Sequence, residues 1–170
     1  MEHHLLLMRH AKSDWGDGAL ADFDRPLSAR GERDAPRMGA WLAAQAFAPR
    51  TIVSSPALRA RQTALAVAAA LGRDEDDIAW AGAVYGADVQ ALLYALAEHG
   101  AADGPVLLVG HNPGLEELLV YLAGSALPAT GGHKLMPTAA LAHLISDLPP
   151  GSLAAGGARC LAIQRPKQLP

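Results

Sequence analysis

Three short aliphatic runs, Leu5-Leu6-Leu7-Met8, Thr51-Ile52-Val53-Ser54 and Val106-Leu107-Leu108-Val109, are each followed by loop residues and then a stretch of helical period. Apolar runs of this length without polar alternation read as strands buried on both faces. Strands that return through helices are laid side by side in parallel, with the helices covering the sheet. Two later runs, 139–145 and 158–164, are separated by Pro149-Pro150-Gly151 and Gly156-Gly157 and read as a hairpin. The predicted fold is therefore α/β: a three-layer α/β/α sandwich whose sheet is mostly parallel but mixed.

Local signals place the connecting elements. Ser28 is an N-cap candidate for a helix with apolar positions at Ala35, Met38, Trp41, Leu42 and Ala46, with Pro36 awkward in its interior. Ser55-Pro56 predicts a cap followed by proline at the first helical position, opening a helix that runs to Leu71 and stops at Gly72. Residues 78–84 form a weaker strand candidate, and 89–99 a helix. Asn112-Pro113 repeats the cap-plus-proline pattern before a helix through about Leu122. A chain of 170 residues fits one domain, expected over 1–164, with 165–170 as a loose tail.

Composition removes several function classes. The net charge is -3 and only 5% of residues are aromatic, so a nucleic-acid surface is not expected. No apolar run approaches the ~20 residues of a membrane span, and the N-terminus does not read as a secretory signal. The one cysteine, Cys160, lies in an apolar stretch and reads as a buried inert thiol. The expectation is a cytoplasmic protein that uses no metal and no cofactor.

The chemistry gathers at strand ends. The first strand ends in Arg9-His10, the second leads to Ser54-Ser55-Pro56 with Arg59 just beyond, and the strand at 106–109 leads to His111. Ligands of open α/β sheets bind beyond the carboxyl ends of strands. Arg9, His10, Arg59 and His111 are thus expected to converge. Two arginines, two imidazoles and the N-termini of two helices suit a phosphoryl group, because the guanidinium fork matches phosphate oxygens. Lys12 is a further substrate-binding candidate, and His133, in a Gly-rich loop, a possible neighbour.

Three blocks carry a family resemblance. Leu7-Met8-Arg9-His10-Ala11-Lys12 resembles the Arg-His signature of the histidine phosphatase superfamily. Ser54-Ser55-Pro56-Ala57-Leu58-Arg59 is similar to its second block, whose arginine binds phosphate, and Val109-Gly110-His111-Asn112-Pro113 to its third. The strings Lys12-Ser13-Asp14-Trp15, Asp24-Arg25-Pro26-Leu27-Ser28 and Met136-Pro137-Thr138-Ala139 resemble the SixA-type phosphohistidine phosphatases. The resemblance implies a phosphoglycerate-mutase-like fold, a His10 nucleophile forming a phosphohistidine intermediate, and Arg9, Arg59 and His111 as phosphate-binding groups. Mutase-type members carry a glutamate acid three residues before a Tyr-Gly pair. Tyr85-Gly86 is present here, but Gly82 stands in the acid's place.

The missing acid points to a leaving group that needs no protonation, such as a phosphorylated imidazole, and so to a phosphorylated protein as partner. Asp88 and the carboxylates of the 14–24 loop (Asp14, Asp17, Asp22, Asp24) are the alternatives for an acid, and Asp24-Arg25 a possible local pair. Rival readings are a small-molecule phosphomonoesterase, a phosphate-binding module without turnover, and a metal protein using His10 and His111.

Overall fold

A computed structural model describes residues 1–170. Six strands, β1 (His3–Arg9), β2 (Thr51–Ser54), β3 (Ile78–Trp80), β4 (Val106–Gly110), β5 (Leu141–Ser146) and β6 (Ala158–Gln164), form one sheet in the order β3-β2-β4-β1-β5-β6. The first four are mutually parallel, while β5 runs antiparallel to both β1 and β6. Four helices cover the sheet: α1 (Ala29–Ala43), α2 (Leu58–Ala70), α3 (Val89–His99) and α4 (Gly114–Ala123).

Side-chain alternation divides the interior into two cores. Leu5, Leu7, Val53, Val106 and Leu108 pack with Leu92, Leu96, Leu115 and Leu118 of α3 and α4. Their neighbours in sequence, Leu6, Met8, Ile52, Leu107 and Val109, pack with Met38, Leu42, Ala64 and Val67 of α1 and α2. A strand with no polar face is stable only between two such layers, which is why these runs read as uninterrupted apolar sequence. Truncating a side chain such as Leu107 to alanine would cost about 2–5 kcal/mol. The α1–α2 contact is close because both helices present small residues. A methyl at Gly39 would stand 3.0 Å from Val67 Cα and 3.1 Å from Ala70 Cβ.

Several elements differ from the sequence expectation. Residues 82–84 form a 3-10 turn, leaving β3 only three residues long. Helix α2 begins at Leu58 with Ala57 in the cap position and no side-chain cap, and α4 begins at Gly114 behind Pro113, again without a side-chain cap. The predicted cap-plus-proline starts are thus displaced: Ser55-Pro56 and Asn112-Pro113 are loop. Ser28 does cap α1, accepting from the Gly31 N–H. Pro36 sits within α1 on its exposed side, where water can reach the carbonyl left without a partner. The expected loose tail is held in place. Arg165 and Pro166 are buried, residues 166–168 form a 3-10 turn, and Leu169 packs against the second core.

Candidate active site

Three parallel strands deliver polar residues to one edge of the sheet. Arg9 ends β1 in register with Gly110 of β4, so His10 and His111 emerge side by side, with ring centroids 5.1 Å apart. The residues just before β5 hold the end of β1 from the other side: Arg9 N–H donates to the Ala140 carbonyl and Ala139 N–H to the His10 carbonyl, at 3.0 and 3.1 Å. Ala139 adopts a positive φ of 64° to do so, an unusual conformation for a residue with a Cβ.

His10 is buried. Its Nδ1 lies 2.7 Å from the Ala11 carbonyl oxygen, which can only accept. Nδ1 therefore carries the hydrogen and Nε2 keeps a free lone pair. The loop after His10 is tied to α2, since the Ala11 N–H donates to Thr63 Oγ1 and Thr63 donates to the Arg59 carbonyl. Burial is the largest cause lowering the His10 pKa, to about 3. The Ala11 carbonyl pulls the other way, and the charges of His111, Arg59 and Arg9 add to the lowering. Desolvation, not the neighbouring cations, is the leading cause. At neutral pH the ring is uncharged.

His111 is brought to an uncharged state for similar reasons, its pKa lowered to about 4 by burial first and by Arg59 next. Its Nε2 lies 2.8 Å from Ser55 Oγ, and Ser55 also accepts from the Ala57 N–H. Ser55, expected to be a helix cap, is instead a partner of the second imidazole. Four buried side-chain polar atoms have no hydrogen-bond partner, and three of them belong to the predicted set: Arg9 Nε, Arg59 Nε and His111 Nδ1. The fourth, Asn112 Oδ1, is on the adjacent residue. Buried donors are paired as a rule, so a cluster of unpaired ones marks a place for an acceptor-rich anion.

Arg59 is positioned by a residue that spacing did not single out. Its Nη1 donates to the Asp22 carbonyl and its Nη2 to the Asp22 carboxylate, at 2.6 and 3.0 Å. The same carboxylate accepts from Tyr85 Oη at 2.7 Å and from Arg25 Nε at 3.1 Å. The Tyr85 bond is the largest influence holding Asp22 well below the ordinary carboxylate range, with Arg59 and Arg25 contributing. Arg25 pairs with Asp22 and Ser13, not with Asp24 as the sequence suggested. Of the other acid candidates, Asp88 caps α3 through the Ala91 N–H, and Asp14 and Asp17 close local turns.

Arg9 donates through Nη1 to the Met136 carbonyl, and burial lowers its pKa. Lys12 makes no hydrogen bond with either imidazole. Its carbonyl is taken by Ser28, and its side chain lines a neighbouring cavity shared with Arg9 and with His133. No three His, Cys, Asp or Glu side chains gather in an arrangement that would hold a metal ion. No helix is long and apolar enough to cross a membrane.

The arrangement offers a neutral imidazole nitrogen with a free lone pair beside two guanidinium groups and a second imidazole. That set can accept a phosphoryl group and neutralise its charge.

The comparisons with known proteins agree. The sequence profile of the histidine phosphatase superfamily (branch 1) matches residues 5–80. An uncharacterised protein of Mycobacterium tuberculosis is 36% identical over 159 residues, covering 88% of this chain and 97% of that protein. An uncharacterised chloroplast protein of Arabidopsis thaliana is 32% identical over 135 residues, or 75% of this chain but 62% of its own length. The solved structure of the protein assigned as phosphohistidine phosphatase SixA in Nakamurella multipartitia superposes with a TM-score of 0.79. It is 32% identical, and the match covers 98% of this chain and 97% of that one. The chain belongs to the histidine phosphatase superfamily and is similar to the SixA-type members of its fold.

Proposed function

We propose that this phosphatase transfers a phosphoryl group to Nε2 of His10 and then to water, and that the group comes from a phosphohistidine side chain of a protein partner. The observation that carries the choice of substrate is the state of Asp22. It is the carboxylate bonded to Arg59 and Tyr85 at the pocket, and it is held ionised by those partners and Arg25. A group with no proton to give cannot assist an alkoxide, which gains on the order of 10²- to 10⁴-fold from a positioned acid. A phosphorylated imidazole protonated on its other ring nitrogen leaves as neutral imidazole and takes no proton from the enzyme.

In the first step the Nε2 lone pair of His10 forms a bond to phosphorus while the substrate's N–P bond breaks. Arg9 and Arg59 hold the equatorial oxygens, and a hydrogen bond from His111 stabilises the transferring charge. In the second step the oxygen of water bonds to phosphorus, the His10 N–P bond breaks and the electron pair returns to Nε2. The water's protons pass to phosphate and solvent. No metal or cofactor enters this scheme. The reading places the protein in the cytoplasm, where its single free cysteine would stay reduced.

The test is phosphate release without added metal, with wild type and His10→Ala side by side. The substrates are a phosphohistidine-bearing protein and a panel of alkyl and sugar phosphates. Turnover of the phosphohistidine protein that is lost in His10→Ala is the expected result. Preferred turnover of an alkyl or sugar phosphate would establish the phosphomonoesterase reading instead. Phosphate binding without turnover of any substrate would leave a binding module.

A further inference from the structure

Beside the imidazole pair lies a cavity of about 400 Å³ with no hydrophobic and no acidic side chain in its lining. Six cationic residues face it: Arg9, Lys12, Arg30, Lys134, Arg165 and Lys167. Only Arg30 has a carboxylate within 4.0 Å, its partner being Asp34 at 3.5 Å. The carboxylate that acts on Arg9 is Glu116, which is already engaged by Asn112 Nδ2 and the Met136 N–H. Five positive groups thus share one hollow without counter-ions, in a chain whose net charge is -3. Such clustering costs self-repulsion and is stable when an anion is drawn in.

The cavity is built rather than incidental. Arg165 is buried, and its guanidinium donates to the carbonyls of Lys134 and Leu135, fixing the segment that carries Lys134. Arg9 belongs to both the cavity and the phosphoryl pocket, so an anion here would sit directly beside the reacting group.

Exposed apolar side chains lie near the same imidazole pair. The cavity is formed by residues around the ends of β1, β5 and β6. On the His111 side of His10, Tyr85 stacks edge-on against His111, and Phe23 edge-on against Tyr85. Phe23 shares its loop with Leu20 and with Trp15, and all three are exposed, Trp15 to 69%. A polypeptide presenting a phosphorylated side chain can meet both places at once. A net charge of -3 and an aromatic content of 5% do not suit a nucleic acid.

We infer that the cavity between Arg9 and Lys167 is a docking subsite for Asp and Glu side chains of the polypeptide that presents the phosphoryl group, with the Trp15–Phe23 loop contacting its apolar residues. The enzyme would thereby select acidic protein partners. This rests on the protein-substrate reading above.

The test uses two phosphohistidine peptides of equal length, one with Asp and Glu flanking the phosphorylated residue and one with Asn and Gln there. Wild type is compared with the Lys134→Gln, Lys167→Gln double variant, whose phenyl phosphate turnover should be unchanged. The expected result is a kcat/KM about tenfold higher for the acidic peptide, carried by KM and lost in about 0.5 M salt and in the double variant. Equal turnover of the two peptides, or a preference that survives the double variant, would overturn the inference.

Fluorescence anisotropy of the labelled, unphosphorylated acidic peptide decides the cavity separately from the chemistry. Failure of both peptides to turn over counts against the protein-substrate reading, while lysine-dependent binding of the acidic peptide would still support the subsite. No binding, or lysine-dependent binding of tripolyphosphate but not of the peptide, would sink it.

Discussion

The Asp22 carboxylate stands 3.0 Å from Nη2 of Arg59, on the side chain proposed to grip the phosphoryl oxygens. A negative group there orients the guanidinium and also repels the incoming dianion. Asp22→Asn should therefore tighten inhibition by orthophosphate about threefold or more, because one like charge is removed beside the ligand. Turnover of phosphohistidine should change little. Steady-state kinetics with orthophosphate as inhibitor would measure both. A kcat loss on the order of 10²-fold, specific to alkyl phosphates, would instead identify Asp22 as the proton donor.

Ser55 is expected to act through His111. With Ser55 Oγ 2.8 Å from Nε2, the hydroxyl can donate to that nitrogen and leave the hydrogen on Nδ1, the atom without a protein partner. Ser55→Ala should lower kcat by about tenfold with KM nearly unchanged, and it should alter the pH profile by releasing the tautomer. A merely structural role would lower the melting temperature without moving the profile.

The buried imidazoles make stability depend on pH. His10, at about 3, and His111 and His143, at about 4, are all depressed below 6.5, each chiefly by burial, with His4 also acting on His143. Between those values and 6.5 the unfolded chain binds protons that the native protein does not, so stability falls as pH drops through that window and is unaffected by these groups above it. Each unit of separation is worth about 1.4 kcal/mol. Thermal melts from pH 7.5 to 4.5 should show the decline. It should be shallower in His10→Asn, which removes the most depressed of the three; an equally steep decline would contradict the assignment. Over the same range His10 stays neutral, so kcat/KM should show no acid limb near 6.5.

The four residues expected to converge were legible because each lies at or just beyond the carboxyl end of a strand, and the strands were marked by uninterrupted apolar runs. Ser55 occupies the same kind of position, so the strand-end rule could have found it. The Ser-Pro pair pointed to a helix cap instead, and α2 starts later than that pair suggests. Asp22 carried no comparable signal. It is one of four aspartates in an irregular loop, and its partners Arg59 and Tyr85 are 37 and 63 residues away. The brace supplied by Arg165 was also hidden, because a Pro-flanked end rich in polar residues gives no periodic pattern to read.

The pairing of β1 with β5 sets an order in time. His10 is made early, yet its backbone is fixed by Ala139 and Ala140. At roughly 5–20 residues per second, those partners leave the ribosome on the order of 10 s later. Until then His10 hangs from a strand with one neighbour missing and Arg9 unanchored. The nascent chain therefore carries His10 before its surroundings exist, and the site is completed only with the last fifth of the chain.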